Sequence, residues 1–385
     1  MARRFDVAII GGGITGCATA LELARGGASV VVLERGEIAA LASAANSGSL
    51  HAQIPFEPFA AKGEAWARSF APVARFLGGA VDVWKTVEVT LGVELEVSVK
   101  GGLLVAATAD QMRLAERKFE IERAAGLDVE LWSTADLAAH APYLAPGHVG
   151  GVFCRNEGKA NPLVAGRAFA AAAARAGAVI RRDTEVAGLA REGRGWRIGL
   201  AAGETVDAGA VVNAAGAEAP RLAAMAGAPF AAEGFPIQAS VTERVAPCLP
   251  HLLYAAREKL TLKQTAAGAL IIGGGWPARP GSGGRPVVDP ASLVANLEVA
   301  GATMPAIAGL RVLRTWAAVV NGTEDWLPVI GEAAGAPGFF NAFFPWMGFT
   351  AAPLVARRVA EAVLGGGAGH DSVLGRRAAA LPASG

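Results

Sequence analysis

The chain has 385 residues, of which 52% are hydrophobic and 18% charged, and its net charge is +1. This length can bury a large core in two domains, or in one α/β body with an inserted lobe. The near-neutral charge argues against a polyanion-binding surface, so we expect no nucleic-acid partner.

No segment of the sequence predicts export or a membrane span. The basic start is followed by an apolar run that Asp6 and a glycine turn interrupt. The Ala-rich segment 163–180 contains Arg167 and Arg175, so it falls short of the roughly 18 uninterrupted apolar residues of a span. Three cysteines without metal-type clustering fit free thiols in a reducing compartment. We therefore expect a cytoplasmic protein without a metal site.

The first predicted elements form a βαβ unit. Residues 5–10 are an almost continuous apolar run, as in a strand covered on both faces of a parallel sheet. Apolar residues then recur at helical spacing from Ile14 to Ala24, glycines end the helix, and residues 29–33 form a second strand. This order predicts a Rossmann-like start.

The later segments alternate between two kinds of sequence pattern. An Ala-rich helix is predicted over 162–176, short strands follow and end in 208–216, and a strand, a glycine turn and a helix are predicted over 337–364. Charged helical stretches and alternating strands lie between these blocks. We predict a discontinuous nucleotide-binding domain of residues 1–85, 146–230 and 311–370, a substrate domain of residues 86–145 and 231–310, and a flexible tail of residues 371–385.

A glycine motif stands between the first strand and the first helix. Gly11, Gly13 and Gly16 form G-x-G-x-x-G, which allows a tight turn and a close approach of a pyrophosphate to the helix N-terminus. Glu34 ends the second strand, where a carboxylate accepts hydrogen bonds from ribose hydroxyls. An ordinary glycine-rich turn is the alternative, but the motif with this acid in register predicts a dinucleotide. NAD and FAD both satisfy its geometry.

The segment SAANSGSLHAQ, residues 43–53, begins a series of blocks that resembles the amino-acid oxidase superfamily of flavoproteins, which includes glycine oxidase, sarcosine oxidase and the D-amino acid oxidases. The other blocks, in family order, are KGGLLVAAT (100–108), EGKANPL (157–163), VVNAAGAEA (211–219), LRTWAA (313–318), LPVIGE (327–332) and MGFTAAP (347–353). Within the superfamily, NSGSLHAQ, LRTWAA and the segment 260–278 are most similar to flavoprotein subunits of opine oxidases. The resemblance implies noncovalent FAD and an α/β fold, with an FAD-binding domain of the glutathione-reductase type and an interleaved antiparallel-sheet substrate domain.

The resemblance also implies which residues bind FAD. They are Gly11, Gly13, Ile14, Thr15, Gly16, Glu34, Arg35, Val186, Ala215 and Gly216 around the ADP half; Ser43, Asn46, Ser47, Gly48 and Ser49 along the path to the flavin; and Gly348, Phe349 and Thr350 at its ring. The last three open a helix, and a helix N-terminus stabilises the negative charge of a reduced flavin.

By the same resemblance, the chain oxidises a C–N bond of a small-molecule amine or amino acid: a secondary amine, an opine-like compound or a D-amino acid. Hydride transfer to the flavin gives an imine that hydrolyses, and oxygen or another acceptor takes the electrons. The catalytic candidates are His51, Lys263 and Gln264. His51 could lie beside the flavin or pack against its own loop. Lys263 could reach the pocket, as does the lysine that promotes oxygen reaction in sarcosine-oxidase relatives, or face solvent from its strand.

The chain departs from the family at the substrate carboxylate. The family block W-A-G-L-R-P reads WAAVVNG here, so Val320 replaces an arginine, and Trp346 occupies a second cationic position. Loss of these guanidiniums removes a bidentate clamp and favours a bulkier or less acidic amine. We predict a substrate pocket of Ser49, Trp316, Val320, Phe344, Trp346 and Met347, with Trp276 and Trp326 as further aromatic candidates. Ordinary core packing is the alternative for each aromatic residue.

Two other functions stay open at this point. A hydroxy acid could be the donor, because the fold does not determine the substrate. The chain could also be a flavoprotein subunit of a multi-subunit dehydrogenase, so either a homo-oligomer or additional subunits are compatible with it.

Overall fold

The computed structural model of the protein describes residues 4–365. The strands are β1 Arg4–Ile10, β2 Val30–Leu33, β3 Ser49–Leu50, β4 Gly102–Ala106, β5 Val129–Ser133, β6 Gly150–Cys154, β7 Gly158–Lys159, β8 Val179–Arg181, β9 Val186–Glu192, β10 Gly195–Leu200, β11 Thr205–Asn213, β12 Glu233–Arg244, β13 Leu252–Ala255, β14 Thr261–Gln264, β15 Ala269–Pro277, β16 Val312–Gly322, β17 Val329–Glu332 and β18 Phe339–Phe343. The helices are α1 Ile14–Arg25, α2 Ala42–Ala45, α3 Phe56–Leu91, α4 Ala109–Ala124, α5 Thr134–His140, α6 Pro162–Arg175, α7 Ala219–Met225, α8 Pro290–Thr303 and α9 Gly348–Val363.

The first sheet is built on β1, whose apolar residues 7–10 are buried. β1 pairs in parallel with β2 on one side and β11 on the other, and the sheet order is β17-β18-β11-β1-β2-β8. The antiparallel pair β9 and β10 continues from β11. α1 packs against α6 and α9 beside this sheet. The predicted βαβ start, the Ala-rich helix and the final strand–turn–helix block are confirmed.

The second sheet has eight strands in the order β16-β12-β15-β14-β13-β4-β6-β5. Its pairs are antiparallel except β13 with β4. Together the sheets confirm the predicted α/β fold, with a first sheet that is parallel around β1 and a largely antiparallel second sheet. No helix within residues 4–365 has the length and apolar character needed to cross a bilayer.

Two strands pair in the second sheet, although the sequence analysis placed their residues in the nucleotide-binding domain. β6 and β16 fall in ranges 146–230 and 311–370, which we assigned to the nucleotide-binding domain, but both pair within the second sheet. Partner choice depends on contacts with segments far away in the chain, such as β12 for β16. The predicted tail lies outside the described residues.

The short strand β3 joins the two halves of the molecule. It pairs with β7, and its Ser49 contacts both β14 of the second sheet and α9, which packs beside the first. The residues around β3 therefore lie where the nucleotide-binding sheet meets the second sheet.

Candidate active site

The glycine turn after β1 has no room for side chains. Gly11 has φ +107°, and a Cβ there would lie 2.5 Å from the carbonyl oxygen of Ala214. A Cβ on Gly16 would lie 2.0 Å from the carbonyl oxygen of Gly11. Both distances are below any real Cβ contact, so β1, α1 and the end of β11 close on one another only because these residues are glycine. Ala215 follows directly and its Cα would lie 2.9 Å from a Cβ on Gly11, and Gly216 is the next residue in the chain.

The N-terminus of α1 and the carboxylate of Glu34 face this turn together. Glu34 accepts hydrogen bonds from the backbone N–H groups of Gly12 at 2.7 Å and Gly36 at 2.8 Å. The hydroxyl of Ser43 accepts the N–H of Ile14 at 2.9 Å. A Cβ on Gly13 would meet only the Ser43 hydroxyl, at 3.1 Å, so space lies in front of the helix N-terminus. An open helix N-terminus with an acid at the end of β2 fits a dinucleotide pyrophosphate and its ribose.

Three other predicted contacts of the ADP half surround this turn. Thr15 lies in the first turn of α1, directly after Ile14. The strand of Val186 begins two residues after Thr184, whose N–H donates to the Glu34 carbonyl at 2.8 Å. Arg35 is partly exposed and lies 3.7 Å from Glu218. The structure therefore brings the predicted ADP residues to one place, and their contacts with the cofactor stay a proposal.

The segment from Ser43 to Ser49 is held by its own polar groups. The Asn46 side chain accepts the N–H of Gly48 at 2.7 Å and donates to the Ser43 carbonyl at 2.7 Å. Gly48 has φ +77°, and a Cβ there would lie 2.3 Å from the carbonyl oxygen of Ala160. The Ser47 and Ser49 hydroxyls lie 3.4 Å apart. The segment therefore leads from the glycine turn to β3 in one defined path.

Thr350 joins this path to the last helix. Its hydroxyl accepts the N–H of His51 at 3.0 Å and donates to the Ser49 carbonyl at 3.2 Å. Thr350 lies in the first turn of α9, after Gly348 and Phe349. Phe349 packs on Trp84, with ring centroids 4.9 Å apart. The N-terminus of α9 is thereby fixed beside β3, which follows the segment from Ser43 to Ser49.

A cavity of about 400 Å³ opens at this junction. Its wall includes predicted cofactor and substrate residues from both halves of the molecule: Asn46, Ser47, Ser49, His51, Trp316, Val320, Trp346, Met347, Phe349 and Thr350. Trp326 and Tyr254 add further aromatic surface. A concave, largely apolar site with a few polar groups is typical of small-molecule binding.

The tryptophans of the cavity are fixed by specific contacts. Trp346 stacks on Trp326 with centroids 4.7 Å apart and an interplanar angle of 21°, and it also packs on Phe235. The indole N–H of Trp316 donates to the Ala45 carbonyl at 2.7 Å, which joins β16 to α2. These rings form a rigid apolar wall.

Lys263 and His51 lie close to this wall in buried surroundings. Lys263 is 2% exposed, which excludes a solvent-facing lysine. Desolvation lowers the pKa of Lys263 to about 7, with a smaller contribution from the charge of Lys159. Desolvation also lowers the pKa of His51 to about 3, and the charge of Lys263 acts in the same direction. Lys263 is therefore a candidate for proton exchange at neutral pH, whereas the His51 ring is uncharged there.

Two predicted site residues and one aromatic candidate lie elsewhere. Gln264 neighbours Lys263 on β14 and points to the opposite face, where its amide binds the backbone of Val245, Ala246, Cys248, Leu249 and Gly268. Phe344 is buried in the core and stacks on Phe76. The indole of Trp276 donates to the Lys259 carbonyl and does not line the cavity. Neither Gln264 nor Phe344 lines the cavity, so the structure places both apart from the other predicted site residues.

A buried polar network behind His51 is not evident from the sequence. Glu157 is fully buried and accepts the Tyr254 hydroxyl at 3.0 Å, while His51 Nδ1 lies 2.7 Å from that same hydroxyl. Gln53 and the ion pair of Lys118 with Glu122, at 2.6 Å, complete the network. The only sequence feature that points to this network is the EGKANPL block, which begins at Glu157. No motif in the sequence singles out Tyr254.

The fold and this site define a dinucleotide-dependent oxidoreductase. The chain belongs to the DAO family of FAD-dependent oxidoreductases, whose model matches residues 6–362. FAD is therefore the cofactor, and the glycine turn, the Glu34 carboxylate and the two helix N-termini are the groups that fit it. The predicted superfamily is confirmed.

Three relatives show how far the similarity extends. The chain is 27% identical to the beta chain of a sarcosine oxidase from Arthrobacter sp, and the match covers 94% of this chain and 89% of that protein. It is 28% identical to glycine oxidase of Geobacillus kaustophilus over 94% of each chain, and the crystal structure of that enzyme superposes with a TM-score of 0.78 over 96% of each chain. An opine oxidase subunit of Rhizobium meliloti is 27% identical over 87% of each chain.

Proposed function

We propose that this FAD-dependent oxidoreductase oxidises the C–N bond of a bulky secondary amine without a strongly bound carboxylate. The aromatic wall of the cavity is the observation that carries this proposal, since Trp316, Trp326 and Trp346 offer a large apolar surface to one substrate. Two of the three relatives are named for sarcosine and opines, which are secondary amines.

The charges around the cavity support the same substrate class. Each of the three cations in its wall has a carboxylate partner: Lys118 pairs with Glu122 at 2.6 Å, Lys259 with Glu57 at 3.3 Å, and Arg257 with Glu258 at 3.9 Å. Val320 lines the wall where the family resemblance expects an arginine. A free guanidinium facing a substrate carboxylate is thus missing from this wall within residues 4–365, so a small amino acid lacks the clamp that would hold it.

The chemistry divides between cofactor and protein. FAD held by the glycine turn, Glu34 and the N-terminus of α9 would supply a hydride acceptor for the carbon that carries the nitrogen, and loss of the N–H proton would complete the imine. The protein binds the amine in its uncharged form, because the cavity wall disfavours a free cation and the pKa of Lys263, about 7, lets this side chain take up a proton near neutrality. Water then hydrolyses the imine to a carbonyl compound and an amine. The residues mainly position and desolvate the substrate.

We also propose that FAD is bound noncovalently and that a second chain takes part in the enzyme. Cys17, Cys154 and Cys248 lie outside β17, β18 and α9, the C-terminal region where some relatives attach a flavin. Two relatives are named as parts of larger enzymes, which supports a search for a partner chain. Acid precipitation of the holoprotein tests the first point, because noncovalent FAD stays in the supernatant.

An anaerobic flavin-reduction screen tests the substrate class. N-alkyl and N-arylalkyl amines, glycine, D-alanine and hydroxy acids are each mixed with the FAD-loaded protein, and the oxidised-flavin absorbance and the carbonyl product are measured. Bulky secondary amines should bleach the flavin fastest. Bleaching by hydroxy acids alone would overturn the proposal. Bleaching that requires a co-purified partner would assign the chain to a multi-subunit enzyme and keep the C–N chemistry.

A further inference from the structure

Three side chains form a hydrogen-bonded line from the cavity into the core. His51 lines the cavity, and its Nδ1 lies 2.7 Å from the hydroxyl of Tyr254. The Tyr254 hydroxyl lies 3.0 Å from Oε2 of Glu157, which is fully buried. The other ring nitrogen, Nε2 of His51, has no hydrogen-bond partner within residues 4–365. The line therefore ends at an imidazole nitrogen that is free to meet a ligand.

The donors around Glu157 set the direction of these hydrogen bonds. Oε1 of Glu157 accepts the backbone N–H groups of Ala52 at 2.6 Å and Gln53 at 2.8 Å, and Oε2 accepts the side-chain amide N–H of Gln53 at 2.9 Å. The Gln53 amide cannot be reversed, because its oxygen accepts from the ammonium of Lys118 at 3.0 Å and its nitrogen donates to the Gly102 carbonyl at 3.2 Å. Glu157 therefore accepts at both oxygens.

The tautomer of His51 follows from the direction of the hydrogen bonds that Glu157 accepts. The single hydroxyl proton of Tyr254 goes to Glu157, so the Tyr254 oxygen accepts from His51, and Nδ1 of His51 must carry a hydrogen. The neutral ring then has a lone pair on Nε2. The opposite arrangement needs a proton on Oε2 of Glu157, an oxygen that already receives the Gln53 N–H. An acidic residue that holds the tautomer of a histidine through its Nδ1 is a known catalytic arrangement.

We propose that Glu157 and Tyr254 are positioning residues that hold His51 as the Nδ1–H tautomer, so that its Nε2 accepts a hydrogen bond from the N–H of the substrate amine. This inference rests on the proposed C–N oxidation and narrows its substrate class to amines that carry an N–H when uncharged. Primary and secondary amines satisfy Nε2. Tertiary amines leave it without a partner.

The same geometry gives His51 a role in the rate as well as in binding. When hydride leaves the carbon, positive charge develops on the substrate nitrogen and its N–H becomes more acidic. A neutral acceptor at Nε2 then binds that N–H more strongly than in the ground state, which lowers the barrier. A protonated Nε2 would instead repel the developing charge.

Nitrogen NMR of histidine-labelled, FAD-loaded protein tests the tautomer without any substrate. We expect the His51 Nε2 signal at an unprotonated position and Nδ1 at a protonated one. Tyr254→Phe removes the hydroxyl acceptor, and Glu157→Gln replaces Oε2 with a donor that forces the Tyr254 proton toward His51. Both variants should move His51 toward the Nε2–H form. Wild-type protein with Nε2 protonated would overturn the inference.

Activity supplies the second readout. Tyr254→Phe should lower kcat for a secondary amine by about 10- to 100-fold, as expected for one lost hydrogen bond in the transition state, with a smaller change in KM. Tyr143→Phe is the matched control, because Tyr143 makes the same contact with Nδ1 of His251, at 2.9 Å, away from the cavity. Loss of FAD or stability with an unchanged His51 tautomer would show a merely structural role and contradict the inference. If no amine reduces the flavin, the proposed function fails while the NMR result still decides the tautomer.

Discussion

The ammonium nitrogen of Lys263 lies 2.7 Å from the hydroxyl oxygen of Ser49, across 214 residues of sequence. This contact joins β14 of the second sheet to β3, where the segment that leads from the glycine turn ends. Lys263 lacks a carboxylate partner among the ion pairs of residues 4–365, and Lys159, His51 and Ser49 are the polar side chains that face it. A cation is therefore buried at the junction of the two halves without an opposing charge.

The first prediction concerns the pH dependence of stability. The pKa of Lys263 is about 7 in the folded chain and near 10.5 when unfolded, so the unfolded chain binds more protons between these values. The penalty for burying Lys263 is therefore complete below about pH 7 and disappears as the pH rises toward 10.5. Lys263→Met should raise the free energy of unfolding of the FAD-free protein at about pH 6 and less at about pH 9. Urea unfolding at both values checks this, and an equal gain at both would contradict it.

The second prediction separates FAD binding from folding at the glycine turn. A side chain on Gly13 would enter the open space before α1, so Gly13→Val should fold and fail to retain FAD. Gly16→Ala should instead disrupt the turn, because its Cβ would lie 2.0 Å from the Gly11 carbonyl. Gly188→Ala is the control, since a Cβ there has nothing within 4 Å. Circular dichroism and FAD titration measure the two effects, and full flavin occupancy in Gly13→Val would refute the placement.

The third prediction concerns the link between His51 and α9. Thr350→Val keeps the shape of a fully buried side chain but leaves the His51 N–H and the Ser49 carbonyl without a partner. We expect a loss of about 1–3 kcal/mol in the free energy of unfolding, together with weaker FAD binding. Thr303→Val, which removes one hydroxyl bond within α8, should cost stability without changing the Kd for FAD. Equal FAD affinities in both variants would show that the link does not shape the cofactor site.

The fourth prediction concerns the missing carboxylate clamp. Val320→Arg places a guanidinium in the cavity wall and should raise kcat/KM for small amino acids relative to bulky neutral amines, by about tenfold or more for a bidentate pair. Val312→Arg introduces the same group at an exposed position of the same strand and should leave this ratio unchanged. An unchanged ratio in Val320→Arg would show that this position does not face the substrate carboxylate.

Local patterns in the sequence determined the βαβ start of the first sheet and predicted the cofactor site beside it. The strand and helix periods of residues 5–33, the glycine spacing and Glu34 each depend on neighbours within a few residues, because backbone conformation and helix-end geometry are local properties. The same holds for α6 and for the N-terminus of α9, which the structure reproduces. Family resemblance then separated FAD from NAD, which geometry alone left open.

Only the tertiary structure decided which side chains share the cavity. The strand period shows that Lys263 and Gln264 face opposite sides of β14, but the placement of β14 in its sheet decides which of them is near Ser49. Similarly, the sheet to which β6 and β16 belong follows from their pairing with other segments, such as β12 for β16. Glu157 meets Tyr254 across 97 residues through buried hydrogen bonds. Such contacts depend on strand register and on burial, and a short segment of sequence determines neither of them.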